Sequence, residues 1–135
     1  MQTKVKYHVY FYRTRGGKCQ ACDYARGMDI RHQAKTKRWF QALAELGPDL
    51  PEEYGKHLRD GVWELRIVLQ HHQHRFLYFF WNDIIVVTNA FLKKSWEVPS
   101  GEIERSREAM ADWIARKEWE AIYEKGKKRS KRIPQ

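Results

Sequence analysis

The sequence predicts a single α+β domain, and three observations carry that reading. A period-2 alternation opens the chain, a helical stripe follows it, and three consecutive strand-like runs precede a final amphipathic stretch. The order of elements is β α β β β α. At 135 residues, with 42% hydrophobic and 14% aromatic content, the chain has the length of one ordinary domain and enough apolar surface for a core.

From Lys4 to Tyr12, Val5, Tyr7, Val9 and Phe11 alternate with Lys6, His8 and Tyr10, as in a half-buried strand. Gly16 and Gly17 end it. Between Met28 and Leu46 the apolar spacing becomes helical through Ile30, Ala34, Trp39, Leu43 and Leu46, and Gly47-Pro48 stops it. The expectation is one helix or a helix pair after the first strand. The breaker-rich segment GPDLPEEYGKHLRDG reads as a connecting loop.

Val62 to Leu69 alternates again, with Trp63, Leu65, Ile67 and Leu69 on one face and Glu64, Arg66 and Val68 on the other. The runs RFLYFFW (75–81) and IIVVTNAF (84–91) are apolar on both faces, as central strands are, and Asn82-Asp83 suits a hairpin turn. These three strands form an antiparallel meander whose edge the first strand joins, about four strands in all. Ser100 is the expected cap of a helix from about Gly101 to Lys125 whose stripe runs through Ile103, Ser106, Met110, Trp113, Ile114 and Ala121. Residues 1–124 make the domain and 125–135 a flexible basic tail.

Charge is distributed unevenly. The formal net charge is +9, with +8 on residues 1–40, −5 on 41–124 and +6 on 125–135. Basic ends point to an anionic partner. The tail, KGKKRSKRIPQ, reads either as a phosphate-binding arm carrying Lys127, Lys128 and Arg129 or as a solubilising terminus. No apolar run has the length of a membrane span, and the charged amino terminus is unlike a signal peptide, so the expectation is a soluble cytoplasmic protein.

Cys19 and Cys22 are the only cysteines, spaced C-x-x-C. They leave three readings: part of a zinc site, a redox pair, or two structural thiols. Zinc needs two further ligands, and there is no second C-x-x-C, so no metal or other cofactor is expected.

Basic residues cluster at the ends of the meander: Lys56 and His57, Arg66, then His71, His72, His74 and Arg75, then Lys93 and Lys94. Two accounts stand. They are solvated charges at strand ends, or they form a concave surface that, with Tyr78 and Trp96, binds RNA through phosphate contacts and base stacking.

The segments GVWELRI, RFLYFFWNDIIVVTNAFLKK and VPSGEIERSREAMADW, with the ELGP closing the first helix, resemble the RelE/ParE toxin superfamily in its HigB-like, phage-derived branch. Lys56, Leu58, Gly61, Trp63 to Arg66, Arg75, Leu77, Tyr78, Phe79, Phe91, Lys93, Lys94, Pro99, Glu102 and Ile103 match its pattern in order. The likeness spans about residues 4–113. It implies a RelE-like fold and a toxin of a type II toxin-antitoxin system, paired with a helix-turn-helix antitoxin and cleaving mRNA on the ribosome. The reaction is attack of a ribose 2′-hydroxyl on the adjacent phosphate, without a metal. On this resemblance Arg66 and Arg75 hold the scissile phosphate, Lys93 and Lys94 add positive charge, and Lys56 contacts the RNA backbone. Tyr78 either orients a base or lies in the core. His74 is the candidate for proton transfer because imidazole titrates near neutrality. Two other readings belong to different classes: a non-catalytic gyrase inhibitor of the ParE kind, and a basic RNA-binding phage accessory protein.

Overall fold

A computed structural model describes residues 6–132, with side chains described through Lys125. The sheet has five strands in the order β1-β5-β4-β3-β2. β1 (His8–Phe11) runs parallel to β5 (Ile84–Leu92), while β2 (Gly55–Arg59), β3 (Val62–Leu69) and β4 (His72–Trp81) continue as antiparallel neighbours. The expected first strand is thus shorter, and its residues Lys4 and Val5 lie outside the described part.

The segment expected to be a loop instead contains a 3-10 turn, Gly47–Asp49, and the edge strand β2. The sheet therefore gains a fifth strand over the four expected. β2 pairs with β3 through a two-residue turn in which Asp60 and Gly61 both have positive φ, 54° and 79°. Gln70 and His71 make the same kind of turn between β3 and β4, at 50° and 68°. Such turns match the twist of antiparallel strands, which is why two-residue hairpins favour them. Asn82, at φ 53°, turns β4 into β5 as its sequence predicts.

The amino-terminal helix is a pair, α1 (Gln20–Arg26) and α2 (Ile30–Leu46). The Asp29 carboxylate caps α2 by accepting the Arg31 N–H at 2.9 Å. Gly47 ends it at φ 55°, and a Cβ there would stand 2.2 Å from the Tyr7 ring, so only glycine fits this junction. The carboxy-terminal helix, expected as one piece, is α3 (Ser100–Ala115) and α4 (Glu118–Arg132), broken where Lys117 adopts φ 54°. Pro99 rather than Ser100 occupies the position before α3, and no side chain caps it. The α4 backbone stays helical to Arg132, so most of the segment expected as a flexible tail continues a helix. The Lys127, Lys128 and Arg129 side chains lie outside the described ones.

Both faces of the sheet are covered, which is why β4 from Phe76 and β5 to Val87 are apolar on both sides. On one face Leu43 of α2 and Ala21 of α1 pack with Leu65, Ile67, Phe76, Tyr78, Ile85 and Val87. On the other, Ile103 of α3 packs on Val62 and Leu77, and Trp113 on Phe79, Ile84 and Val86. α4 joins that second layer through Trp119, stacked on Trp81 with ring centroids 6.0 Å apart. Each fully buried Leu, Ile or Phe adds about 1.5–3 kcal/mol of transfer free energy. The architecture, α+β with a mostly antiparallel five-stranded sheet and four helices, broadly matches the expected RelE-like fold.

Candidate active site

The pleat of β3 sends Glu64 and Arg66 toward the face that α3 covers, together with Val62. Register then decides their neighbours. Lys56 of β2 stands opposite Glu64, and Arg75 of β4 opposite Arg66. Two arginines directly across a ladder repel one another. The Glu64 carboxylate resolves this: Oε1 accepts from Arg66 Nε at 2.8 Å, and Oε2 lies 3.4 Å from Arg75 Nε.

Glu64 is wholly buried, Arg75 is 4% exposed, and the Arg66 side chain keeps 27% of its surface in solvent. Arg75 is held further by donating Nη1–H to the His74 carbonyl at 3.1 Å and Nη2–H to Gln73 Oε1 at 2.8 Å. Burial lowers its pKa, Glu64 works in the opposite direction, and Arg66 adds to the lowering. Glu64 Oε2 and Arg75 Nε have no hydrogen bond of good geometry, so their ion pair is close without being closed.

Lys93 follows β5, its backbone N–H donating to Gln73 O at 2.8 Å. Burial holds its amine below the usual lysine range; Glu64 opposes that shift, while Arg75, Arg66 and Lys56 reinforce it. Lys56, Arg66, Arg75 and Lys93 thus share one electrostatic environment with the Glu64 carboxylate. Past Gly55 the edge of β3 is met by the Tyr54 carbonyl, which accepts Arg66 N–H, and by Lys35 Nζ, which donates to the Val68 carbonyl, beside a cavity of about 270 Å³ lined by Arg66, Arg75, Lys35, Trp39, Glu53 and Tyr54. Trp39 and Tyr54 lie ring on ring there, 4.2 Å between centroids and 30° between planes.

His74 does not belong to this cluster. It neighbours Arg75 in sequence, and in a strand that places it on the opposite face. There it is 5% exposed under α1 and α2, with the Tyr24 hydroxyl 2.7 Å from its Nδ1 and His32 Nδ1 2.8 Å from its Nε2. His32 Nε2 in turn lies 3.2 Å from Gln70 Oε1. One tautomer assignment satisfies the whole chain: Tyr24 donates to His74, His74 to His32, and His32 to Gln70. Burial, followed by the charges of His32, His72 and Arg75, pushes the His74 pKa down to about 4. The expected proton-transfer role at the phosphate site is therefore corrected to a neutral, structural histidine.

Of the two readings of Tyr78, the structure selects the core. Tyr78 is completely buried among Phe76, Leu65 and Ile67, and burial then Glu64 push its phenol far above the usual tyrosine range. It offers no ring to a base. Trp96 is 98% exposed, and Lys94 is exposed as well. Of the three readings left for Cys19 and Cys22, the zinc site is set aside, because the two sulfurs are joined in a disulfide. Among the described residues no group of three or more His, Cys, Asp or Glu is arranged to hold a metal ion, and no helix is long and apolar enough to cross a membrane.

Residues 23–111 match the family of phage-derived Gp49-like proteins, about two-thirds of the chain. The chain belongs to the Gp49-like family. No curated protein matches it. The Gp49-like region begins inside α1 and ends within α3, so it holds β2 to β5 and every member of the charged cluster, Lys56, Glu64, Arg66, Arg75 and Lys93. Left outside are β1, α4 and the disulfide.

Sequence reasoning missed three residues here, Glu64, Trp39 and Tyr54. Glu64 stood inside the matched Trp-Glu-Leu-Arg run without a role, although an acid sharing a strand face with Arg66 was a readable signal. Trp39 and Tyr54 meet through tertiary packing of α2 on the segment before β2, and no local pattern announces that.

Proposed function

We propose that this Gp49-like chain is the toxin of a type II toxin-antitoxin system, a metal-independent endoribonuclease that cuts mRNA on the ribosome in the cytoplasm and is restrained by a helix-turn-helix antitoxin. The observation that carries the reading is the grouping of Arg66, Arg75, Lys93 and Lys56 around the buried Glu64, beside an open cavity.

Attack of a 2′-hydroxyl on the neighbouring phosphate breaks the bond from phosphorus to the 5′-oxygen and leaves a 2′,3′-cyclic phosphate. It needs a proton acceptor at the 2′-hydroxyl, positive charge at the phosphorane and a proton donor to the departing 5′-oxygen, which leaves as a hydroxyl. Lys93 takes the first role, since its lowered pKa supplies neutral amine closer to working pH than an ordinary lysine does. Arg66, the more exposed arginine, holds the phosphate. Arg75 and Glu64, both buried, position it. Lys56 contacts the RNA backbone, Trp39 and Tyr54 receive an unpaired base, and Lys94, Trp96 and the basic segment with Lys127, Lys128 and Arg129 extend the contact.

The test adds purified protein to a translation reaction and to the same mRNA without ribosomes, with 5′ ends mapped by primer extension. New ends on translated mRNA only, lost in folded Arg66→Ala, are the expected result. Ends in both reactions mean a ribosome-independent ribonuclease. Intact RNA in both overturns the nuclease reading in favour of a gyrase inhibitor or a basic RNA-binding protein.

A further inference from the structure

The two sulfurs of the Cys19–Cys22 disulfide have unlike surroundings. Cys19 is 3% exposed and its Sγ accepts the Cys22 backbone N–H at 3.2 Å. Cys22 is only partly buried, next to the exposed segment 13–18, and the Arg13 guanidinium lies 4.0 Å from its Sγ. An incoming thiolate therefore meets Cys22 first, and the sulfur it displaces is already hydrogen-bonded.

The helix that begins at this bridge is short and held by two clamps. β1 covers the edge of β5 only as far as Val87, where Tyr12 N–H makes the last bond to the Val87 carbonyl. Beyond it, the Gln20 side chain takes the place of a strand: Nε2–H donates to Ala90 O at 2.8 Å and Oε1 accepts Ala90 N–H at 2.7 Å. Tyr24, one turn on, reaches His74. A seven-residue helix does not persist on its own, so α1 depends on these two contacts, on the burial of Ala21 in the core and on the covalent link at its start.

We propose that Cys19 and Cys22 are a reversible thiol–disulfide exchange site for low-molecular-weight thiols of the glutathione class, the closed form fixing α1 on the β5 edge and the open form releasing it. The thiolate attacks Cys22 Sγ, the Cys19–Cys22 bond breaks as the new sulfur–sulfur bond forms, and the electron pair leaves on Cys19. A second thiolate attacks the adduct and frees Cys22 as a thiolate favoured by Arg13. Two external thiols are oxidised to one disulfide, the protein disulfide is reduced to two thiols, and the two protons of the reductant end on the cysteines. The bridge lies outside the residues that match the family.

The experiment equilibrates the full-length native chain with reduced and oxidised glutathione at a series of ratios, then quenches by alkylation and reads thiol content by mass spectrometry. Both cysteines are expected to open and reclose together, without denaturant. Hydrogen exchange on the same samples is expected to speed up about tenfold in peptides covering residues 20–26 on reduction, with β4 unchanged. In single variants, Cys19→Ser is expected to collect the glutathione adduct about tenfold faster than Cys22→Ser. A bridge that opens only in denaturant, or thiols that fail to reclose under oxidised glutathione, overturns the exchange site. Unchanged exchange over residues 20–26 on reduction overturns the control of α1, and this readout requires no variant.

Discussion

Arg66 and Arg75 stand directly opposite one another on β3 and β4, and both approach the same Glu64 carboxylate, at 2.8 Å and 3.4 Å. Two buried or half-buried guanidinium groups this close are tolerated because the acid between them is wholly buried. Removing one member of such a group leaves charge without its counterion, which costs about 3–5 kcal/mol.

Glu64→Gln is accordingly expected to lose about 3–5 kcal/mol of stability in urea titration, and adding Arg75→Met to it should restore part of that loss. Arg59→Ala, which breaks only exposed ion pairs with Asp60 and Glu104, is the control and should change stability by less than about 1 kcal/mol. A Glu64→Gln variant as stable as that control would show that the carboxylate does not hold the arginines.

The Lys93 amine, lowered in pKa chiefly by burial, gives the proposed reaction a pH signature. A rate that needs the neutral amine rises with pH and levels off above the Lys93 pKa, below the ordinary lysine value of about 10.4. Lys93→Arg keeps the charge without a usable base, so cleavage is expected to fall about 10²- to 10⁴-fold and to lose that rise. A variant that keeps the wild-type pH profile assigns proton transfer to another group.

Much of the sheet is legible in the sequence because hydrophobic period reports burial directly. β3 alternates, β4 and β5 are apolar on both faces, and the structure buries them accordingly. β2 escapes this logic. Gly-Lys-His-Leu-Arg has little apolar content, and it becomes a strand through its pairing with β3. The break between α3 and α4 has a similar cause: a lysine at positive φ carries no propensity signal, and the Trp119–Trp81 packing that rewards the turn is tertiary. The candidate site was half legible for a different reason. Arg66, Arg75 and Lys93 were found by motif, whereas grouping His74 with Arg75 overlooked the strand alternation that sends neighbours to opposite faces.

His74 supplies an acid-sensitivity prediction. The unfolded chain takes up this proton near 6.5, the folded chain resists until about 4, so within that window the unfolded state binds more protons. Stability is therefore complete above about pH 6.5 and declines as pH falls toward 4, by up to about 3 kcal/mol from this residue. His74→Asn should flatten the decline between those limits, at the cost of a lower stability at neutral pH because Tyr24 and His32 lose their partner. Parallel urea titrations from pH 4 to pH 7 check this; the same slope in both proteins would place the acid sensitivity elsewhere.

Two aromatic substitutions separate the base-contact roles that sequence and structure assign differently. Tyr78 is sealed within the core, so Tyr78→Phe should leave RNA binding unchanged and alter stability only modestly. Trp39 and Tyr54 lie ring on ring in the lining of the cavity, together with Arg66 and Arg75. A base received there gains about 1–3 kcal/mol from stacking, so Trp39→Ala should weaken binding of a short single-stranded RNA by roughly 5- to 150-fold. Since Trp39 also packs against the core, the variant's fold is checked by its unfolding midpoint, and binding by fluorescence anisotropy at fixed salt. Weaker binding from folded Trp39→Ala with intact binding by Tyr78→Phe places the base at the β3 edge. The reverse pattern would mean that the core opens to admit RNA, and the cavity beside Glu64 would then no longer serve as the substrate site.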